Sequence, residues 1–496
     1  MADTFFSKMR EFDEPLWEGC KKASSLSATS RFLHWKSECN VSDSTFDTLL
    51  PILKDCVPDD AKIPRNFYET KKKLKSLEMP SQWIHVCINH GMLFNGQHSD
   101  LDHCVVCKQS RYKKNSNKVP NLVMTYMPIG PRLQRLFYSK KTAQNLTWHA
   151  DHPINHEKMT HPSEGKTWIH FDTMFPVFAQ ETRNIRIGLC TDGFCPNNSS
   201  GSPYSCWLFF ITVYNLPPWL SFKHEYMQIP LLIPGKKNHG QNIDFFLQPL
   251  VDELKMLFTD GIETYDAYRK NNFQMRVVLL WTVSDFPAYA MLSGWSLHGK
   301  LACPYCSDKS GSFWLSEGRK PCWFDYHRKH LPNRHKFTKD QINFMKNKKV
   351  KGGVPITYPS GDEIWETVRH FNTVYNGTPY GPKYKKPRGF RVTHNWVKRS
   401  IFWELPYWRK LLIRHNLDMI HIVKNVFENL FHTSMGTPKT KDHFIARKDI
   451  EKLCDRPLLN PIRESNGKIT LNKGDYTLEK DDLKKGVKVP LTPCMA

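Results

Sequence analysis

The chain has 496 residues, of which 40% are hydrophobic and 13% aromatic, with 15 Trp among them. That much apolar material is enough for two or three compact units and excludes wholesale disorder. Lys and Arg number 71 against 48 Asp and Glu, a net charge of +23 that points to a polyanion such as nucleic acid as partner.

Residues 1–15 interleave charges with apolar residues and carry no apolar stretch of the secretory kind. The longest apolar run, 206–214 (CWLFFITVY), is too short to span a bilayer and reads as a buried strand. The expectation is an intracellular protein with no membrane partner. Its 14 cysteines then stay reduced, so clustered cysteines point to metal rather than disulfides.

Residues 1–80 read as a helical N-terminal region, with helix-spaced apolar positions over 44–56 and 66–77. The run Lys71–Lys73 is a solvated face. Pro51 falls inside the first of these helices, where it costs about 3 kcal/mol unless the helix breaks. Residues 81–127 form a Cys/His module, and 128–148 reads as a basic helix. From 168 the pattern alternates between strand and helix. Strands are expected over 184–190, ending at Thr191-Asp192-Gly193, over 206–214 and 228–234, and over 275–283, ending at Ser284-Asp285. A helix is expected over 242–258. Residues 303–399 interrupt the pattern with Cys, His, Lys, Gly and Pro, and helical character returns over 405–431.

Asp192 and Asp285 each follow a buried-looking strand. Carboxylates at neighbouring strand ends are how a mixed sheet builds a two-metal site for phosphodiester cleavage, and Mg²⁺ or Mn²⁺ suits such hard oxygen ligands. Both are equally suited to turns, which favour Asp. Asp418, His421 and Glu428 form a polar stripe on an otherwise apolar helix, either a metal-facing stripe or a solvated one.

Two clusters have zinc-ligand spacing. The first is Cys87-x-x-His90 with Cys104-x-x-Cys107, and the second is Cys303-x-x-Cys306 followed by Cys322, His327 and His335. A redox role for the second lacks the strand–helix context it needs. Residues 331–400 hold 15 Lys/Arg against 4 Asp/Glu. Within them Lys348, Lys349, Lys351, Lys383, Lys385, Lys386, Arg388 and Arg391 are the candidate phosphate contacts, or else a solvated loop.

Long ordered blocks then resemble one family. They include MPIGPRLQRLFYSKKTAQNLTWH (127–149), RNIRIGLCTDGFCP (183–196), YNLPPWL (214–220), LQPLVDELK (247–255), LLWTVSDFPAYAMLSGWSLHGKLACPYC (279–306), KRSIFWELPYW (398–408) and LLIRHNLDMIHIVKNVFENLF (411–431). Together they make about 15–480 resemble the transposase of plant CACTA (En/Spm-type) DNA transposons. The resemblance implies an α/β fold with an RNase H-like mixed sheet core over 128–302, completed at 400–435. A Cys/His metal-binding subdomain is inserted at 303–399, and a helical and zinc-ribbon-like N-terminal region precedes the core. A short C-terminal tail runs over 436–496. The implied activity is metal-dependent DNA cleavage and strand transfer at terminal inverted repeats in the nucleus, with Mg²⁺ or Mn²⁺ at the carboxylates and Zn²⁺ at the Cys/His clusters. Self-association and a second element-encoded protein are the further partners it implies.

The family's aspartates carry over to Asp192 and Asp285, and its DxxH element to Asp418 and His421. Four departures stand out. Val423 replaces the glutamate of the family's HIEKN, which leaves Glu428 as the expected third acid and Glu404 as a weaker candidate. Gly91 replaces a cysteine, Pro51 interrupts a helix continuous in relatives, and the chain stops where relatives continue, without their N-terminal transposase-associated domain. Two readings follow: a transposase core, active or impaired by its shortening, and a non-catalytic DNA-binding zinc protein derived from one.

Overall fold

A computed structural model describes residues 7, 14–75, 77, 79–114, 118–153, 158–195, 206–235, 240–306, 312–323, 358–371 and 385–478. Three N-terminal helices, α1 (Ser25–Glu38), α2 (Asp43–Asp55) and α3 (Phe67–Lys75), bury their own small core around Phe46 and Leu50. The helix α2 runs through Pro51 instead of breaking there. Phe46 and Leu50 lie on its buried face, and Phe46 meets the Phe67 ring edge-on at 5.8 Å, so packing outweighs the one backbone bond that proline removes.

The main body is a mixed sheet of eight strands. In chain order they are β1 (Gln82–Val86), β2 (Leu93–Phe94), β3 (Leu122–Tyr126), β4 (Ile185–Phe194), β5 (Cys206–Val213) and β6 (Gln228–Ile233), then, after the separate hairpin β7 (Ile262–Asp266)–β8 (Asn271–Met275), β9 (Val277–Ser284). A small hairpin, β10 (Phe313–Leu315)–β11 (Lys320–Cys322), stands apart, and β12 (His415–Leu417) completes the sheet. Their order across the sheet is β12-β9-β4-β5-β6-β3-β1-β2. The meander β4–β5–β6 is antiparallel, while β9 lies parallel to β4 and β12 parallel to β9. The Cys/His module does not stand off as a separate layer, because β3 pairs with β6 and carries the sheet on into β1 and β2.

The strands form where apolar, β-branched and aromatic residues run together: CWLFFITV is β5 and VVLLWTVS is β9. The expected basic helix over 128–148 is broken. Its first part, α4 (Ile129–Tyr138), ends at Ser139, which caps a second helix, Lys140–Asn145, by accepting from the Thr142 N–H. Helix α5 (Ile243–Thr259) is apolar on most of its surface and packs against β9, β3 and β6. No helix among the described residues is long and apolar enough to cross a membrane.

The segment over 303–399 leaves and re-enters at one neck. Trp295 and Trp396 pair edge-on at 4.8 Å, and the buried Asn395 amide donates to the carbonyls of Ser296, His298 and Leu301. Gly294 caps the preceding helix, α6 (Phe286–Ser293), in the left-handed region at φ +80°, and a Cβ there would come within 2.8 Å of Lys398. Lys398 is wholly buried and reaches Asp244 on α5 at 2.9 Å. Burial pushes the Asp244 carboxyl up and the Lys398 amine down, each opposed by its partner's charge. Removing one member strands the other, so Lys398→Ala is expected to cost about 3–5 kcal/mol. The urea midpoint measures this, and Asp244→Asn combined with Lys398→Met should recover much of the loss.

Candidate functional site

The site is built from three neighbouring strands. Cys190 of β4 is level with Val283 of β9, and Leu417 of β12 is level with Ser284. Continuing these registers by two residues and by one puts Asp192, Asp285 and Asp418 side by side at one end of three parallel strands. Asp192 is not in the expected turn: β4 continues to Phe194, with Asp192 opposite Leu208 of β5. Asp418 is not inside a helix either. The helical reading of 405–431 gives way to short turns and then to β12, and the helix proper, α7 (Met419–Ser434), starts only after Asp418.

Local bonds fix each carboxylate. Asp285 caps α6 by accepting from the Ala288 N–H at 2.8 Å, and Asp418 caps α7 by accepting from the Ile420 N–H at 2.9 Å. Asp192 Oδ1 accepts from the Gly193 N–H at 2.7 Å. One oxygen of each is used this way, and the other is left for a cation or a substrate. Asp192 is exposed, and Asp285 and Asp418 are half-buried. Their oxygens do not all lie within 4.8 Å of one another, so a metal pair would have to draw the side chains in. Cys190, two residues before Asp192, points to the same sheet face. Burial, with the Asp418 charge beside it, pushes its thiol up to about 11.

Trp281 and Asn416 share that face through the same registers, since Gly188 pairs with Trp281 and Asn416 with Val283. They line a cleft of about 480 Å³ with His161, Lys166, Thr167 and Ile413. Period-two alternation backwards from Asp192 and Asp285 was the signal that could have found Cys190 and Trp281.

The other expected residues are placed differently. His421 sits half-buried in the first turn of α7, and Glu428 is exposed further along it. At 1.5 Å per residue, Glu428 lies about 15 Å along the axis from Asp418. Val423 is 60% exposed, and Glu404 is held by Lys255 at 2.5 Å. Of the basic set, Lys385, Lys386, Arg388 and Arg391 are exposed in one tight loop, with Lys386 and Arg391 over the Phe390 ring. Lys348, Lys349, Lys351 and Lys383 lie outside the described residues, as do His327 and His335. The second Cys cluster is therefore described only in part. The Cys306 N–H points to the Cys303 sulfur at 3.4 Å, and the sulfurs of Cys303, Cys306 and Cys322 do not all lie within 4.8 Å of one another.

The first cluster does assemble. Cys87, Cys104 and Cys107 bring their sulfurs within 4.8 Å of one another, with Cys87 and Cys107 3.3 Å apart. Burial pushes the Cys87 thiol up to about 12, which a bound cation would reverse. His90 is not with them: its ring meets Phe246 edge-on at 5.2 Å.

Three buried histidines went unnoticed in the sequence because nothing in their spacing marks them. Burial pushes His149 down to about 3, with Arg186 adding to it, and His161 down to about 4, with His152 adding to it. His415 falls to about 3, again mainly by burial.

No curated protein matches the chain. Residues 156–371, which carry Asp192 and Asp285 but neither Asp418 nor the three-cysteine cluster, match the family model Transposase_21, transposase family tnp2, and this match supports a transposase family for the chain.

Proposed function

We propose that this chain is the DNA-cutting part of a CACTA-type transposase, hydrolysing a phosphodiester bond at terminal inverted repeats. The observation that carries this reading is the level placement of Asp192, Asp285 and Asp418 at the same end of three adjacent parallel strands, Asp285 and Asp418 directly following β9 and β12. An antiparallel meander followed by two parallel strands supports an RNase H-like reading of the sheet. Asp418 takes the third position here in place of Glu428, because Glu428 lies about 15 Å along α7 from the strand ends where Asp192 and Asp285 stand.

Two Mg²⁺ ions, when bound, activate the attacking oxygen and stabilise the leaving one. The chain's own part is positional. Asp285 and Asp418 are held by the helix N-termini they cap, and Asp192 by a rigid strand. His421, one turn into α7, is placed to donate to a phosphate oxygen or to Asp418. The exposed cations of the loop 385–391 supply charge for neutralising DNA phosphates. A second reading, a DNA-binding protein without hydrolysis, is favoured by one observation: the thiol cluster is gathered and the carboxylates are not.

Nicking of a labelled duplex by the purified chain, with Mg²⁺ or Mn²⁺ and with EDTA, tests the first reading. Metal-dependent nicks support it, and binding without nicking supports the second. Binding itself should show a salt slope of about −0.9 per phosphate contact. Replacing Arg388 and Arg391 by Gln is expected to make that slope shallower by about 2, measured by filter binding at several salt concentrations.

A further inference from the structure

We propose that Cys87, Cys104 and Cys107 hold a zinc ion through three thiolates and leave its fourth position, over Gly91, to a ligand from solution, a small thiol in preference to water. The two cysteine turns are firmly built. Cys87 directly follows β1, donating its N–H to the Met92 carbonyl at 3.0 Å and accepting from the His90 N–H at 2.8 Å. Cys104 donates to the Gln109 carbonyl and accepts from the Lys108 N–H, both at 2.9 Å. Zinc–sulfur bonds of about 2.3 Å in a tetrahedron set sulfurs about 3.8 Å apart. The Cys87–Cys107 separation of 3.3 Å therefore needs to open only slightly, and Cys107 is the half-exposed member of the three.

No fourth His, Cys, Asp or Glu among the described residues joins the three cysteines. A Cβ built on Gly91 would stand 2.9 Å from the Cys104 sulfur and 3.7 Å from the Cys87 sulfur, so this backbone is pressed against the cluster where another ligand would enter. The neighbouring His90 is turned away, in the left-handed region at φ +54° with its ring against Phe246. Gly91, with Met92, Val105 and Val106, instead lines an open cleft of about 350 Å³ that also reaches His98 and Asp252. Zinc held by three protein ligands keeps an open position, and as a borderline-soft cation it accepts sulfur readily. The cluster lies at the β1–β2 end of the sheet, with β5, β6 and β3 between it and the aspartates, so it stands or falls independently of DNA cutting.

The test is Co²⁺ substitution of the full chain. The absorption that Cys107→Ser removes belongs to this cluster and separates it from Cys303 and Cys306. In the unaltered chain, 2-mercaptoethanol should raise that thiolate-to-cobalt absorption by about one third, as three sulfur ligands become four. His90→Ala should leave the spectrum unchanged. Gly91→Cys should start at the higher level and no longer respond to added thiol. No response in the unaltered chain, or a spectral shift in His90→Ala, would mean that the protein itself fills the fourth position, and the proposal would fail. If Cys107→Ser does not fold, the His90→Ala and Gly91→Cys spectra still decide.

Discussion

Asp285→Asn is expected to abolish metal-dependent nicking while leaving the fold intact. Asparagine caps a helix as well as aspartate does, so the bond from the Ala288 N–H survives and stability should change by no more than about 0.5 kcal/mol. What is lost is the negative oxygen offered to a cation. Disturbing groups that merely orient metal ligands costs 10–100-fold, so losing a ligand should cost about 100-fold or more. Asp418→Asn keeps its own cap at Ile420 and should behave alike. Glu428→Gln and Val423→Glu change exposed positions on α7 and should leave most of the rate in place. Single-turnover nicking of a labelled duplex, with urea midpoints for all four variants, checks the set. If Glu428→Gln kills the activity and Asp418→Asn does not, the third acid is Glu428, and α7 must move toward the strand ends when DNA binds.

Mild acid is expected to destabilise the chain before most of its carboxylates protonate. His149, His161 and His415 are buried in the neutral form, with folded values depressed to about 3, 4 and 3. Their contribution is complete above the ordinary histidine value of about 6.5, where folded and unfolded chains bind equally few protons. As pH falls below that value the unfolded chain takes up protons that the folded chain refuses, and stability drops by up to about 1.4 kcal/mol per pH unit for each histidine. From pH 7.5 to 5.5 the three together remove about 4 kcal/mol, a large share of a typical domain's stability. Ordinary carboxylates act in a lower window, below about 4.5, whereas Asp244, pushed up to about 6 by burial, takes up its proton inside the histidine window and offsets part of the loss. Urea midpoints at pH 7.5, 6.5 and 5.5 measure the loss, and a midpoint flat across that range would show that these imidazoles are protonated in place. His415→Gln should make the slope shallower by its own share, the rest staying with His149, His161 and the other histidines that burial pushes down, His85, His90 and His394.

Long apolar runs made the sheet legible. The strands β5 and β9 are continuous stretches of β-forming residues, and Asp285 was rightly placed at the end of its strand. Short elements were not legible. The strand β12 is three residues, His415–Leu417, whose strand character comes wholly from its pairing with β9, so a helical period read across it hid the neighbour that places Asp418. Asp192-Gly193 has the composition of a turn, and only its pairing with Trp207 and Leu208 keeps it extended. In the cysteine cluster the spacing identified three sulfurs. It could not show that His90 would turn toward Phe246, a contact across more than a hundred residues of chain. The buried pair Lys398–Asp244 was equally hidden, because a lysine in a basic stretch reads as solvated until its partner is seen.

The late arrival of β12 gives the protein a particular history on the ribosome. Ser284 ends β9 and His415 opens β12, so about 130 residues must be made between them, about 7–26 s at ~5–20 residues per second. Throughout that interval β4, β5 and β6 can already pair, but β9 presents VVLLWTVS along an uncovered edge. An unpaired apolar edge is a template for the wrong partner, above all for the same strand of a neighbouring nascent chain. The segment that separates the aspartates in sequence therefore also sets a waiting time before β9 can meet its own last strand.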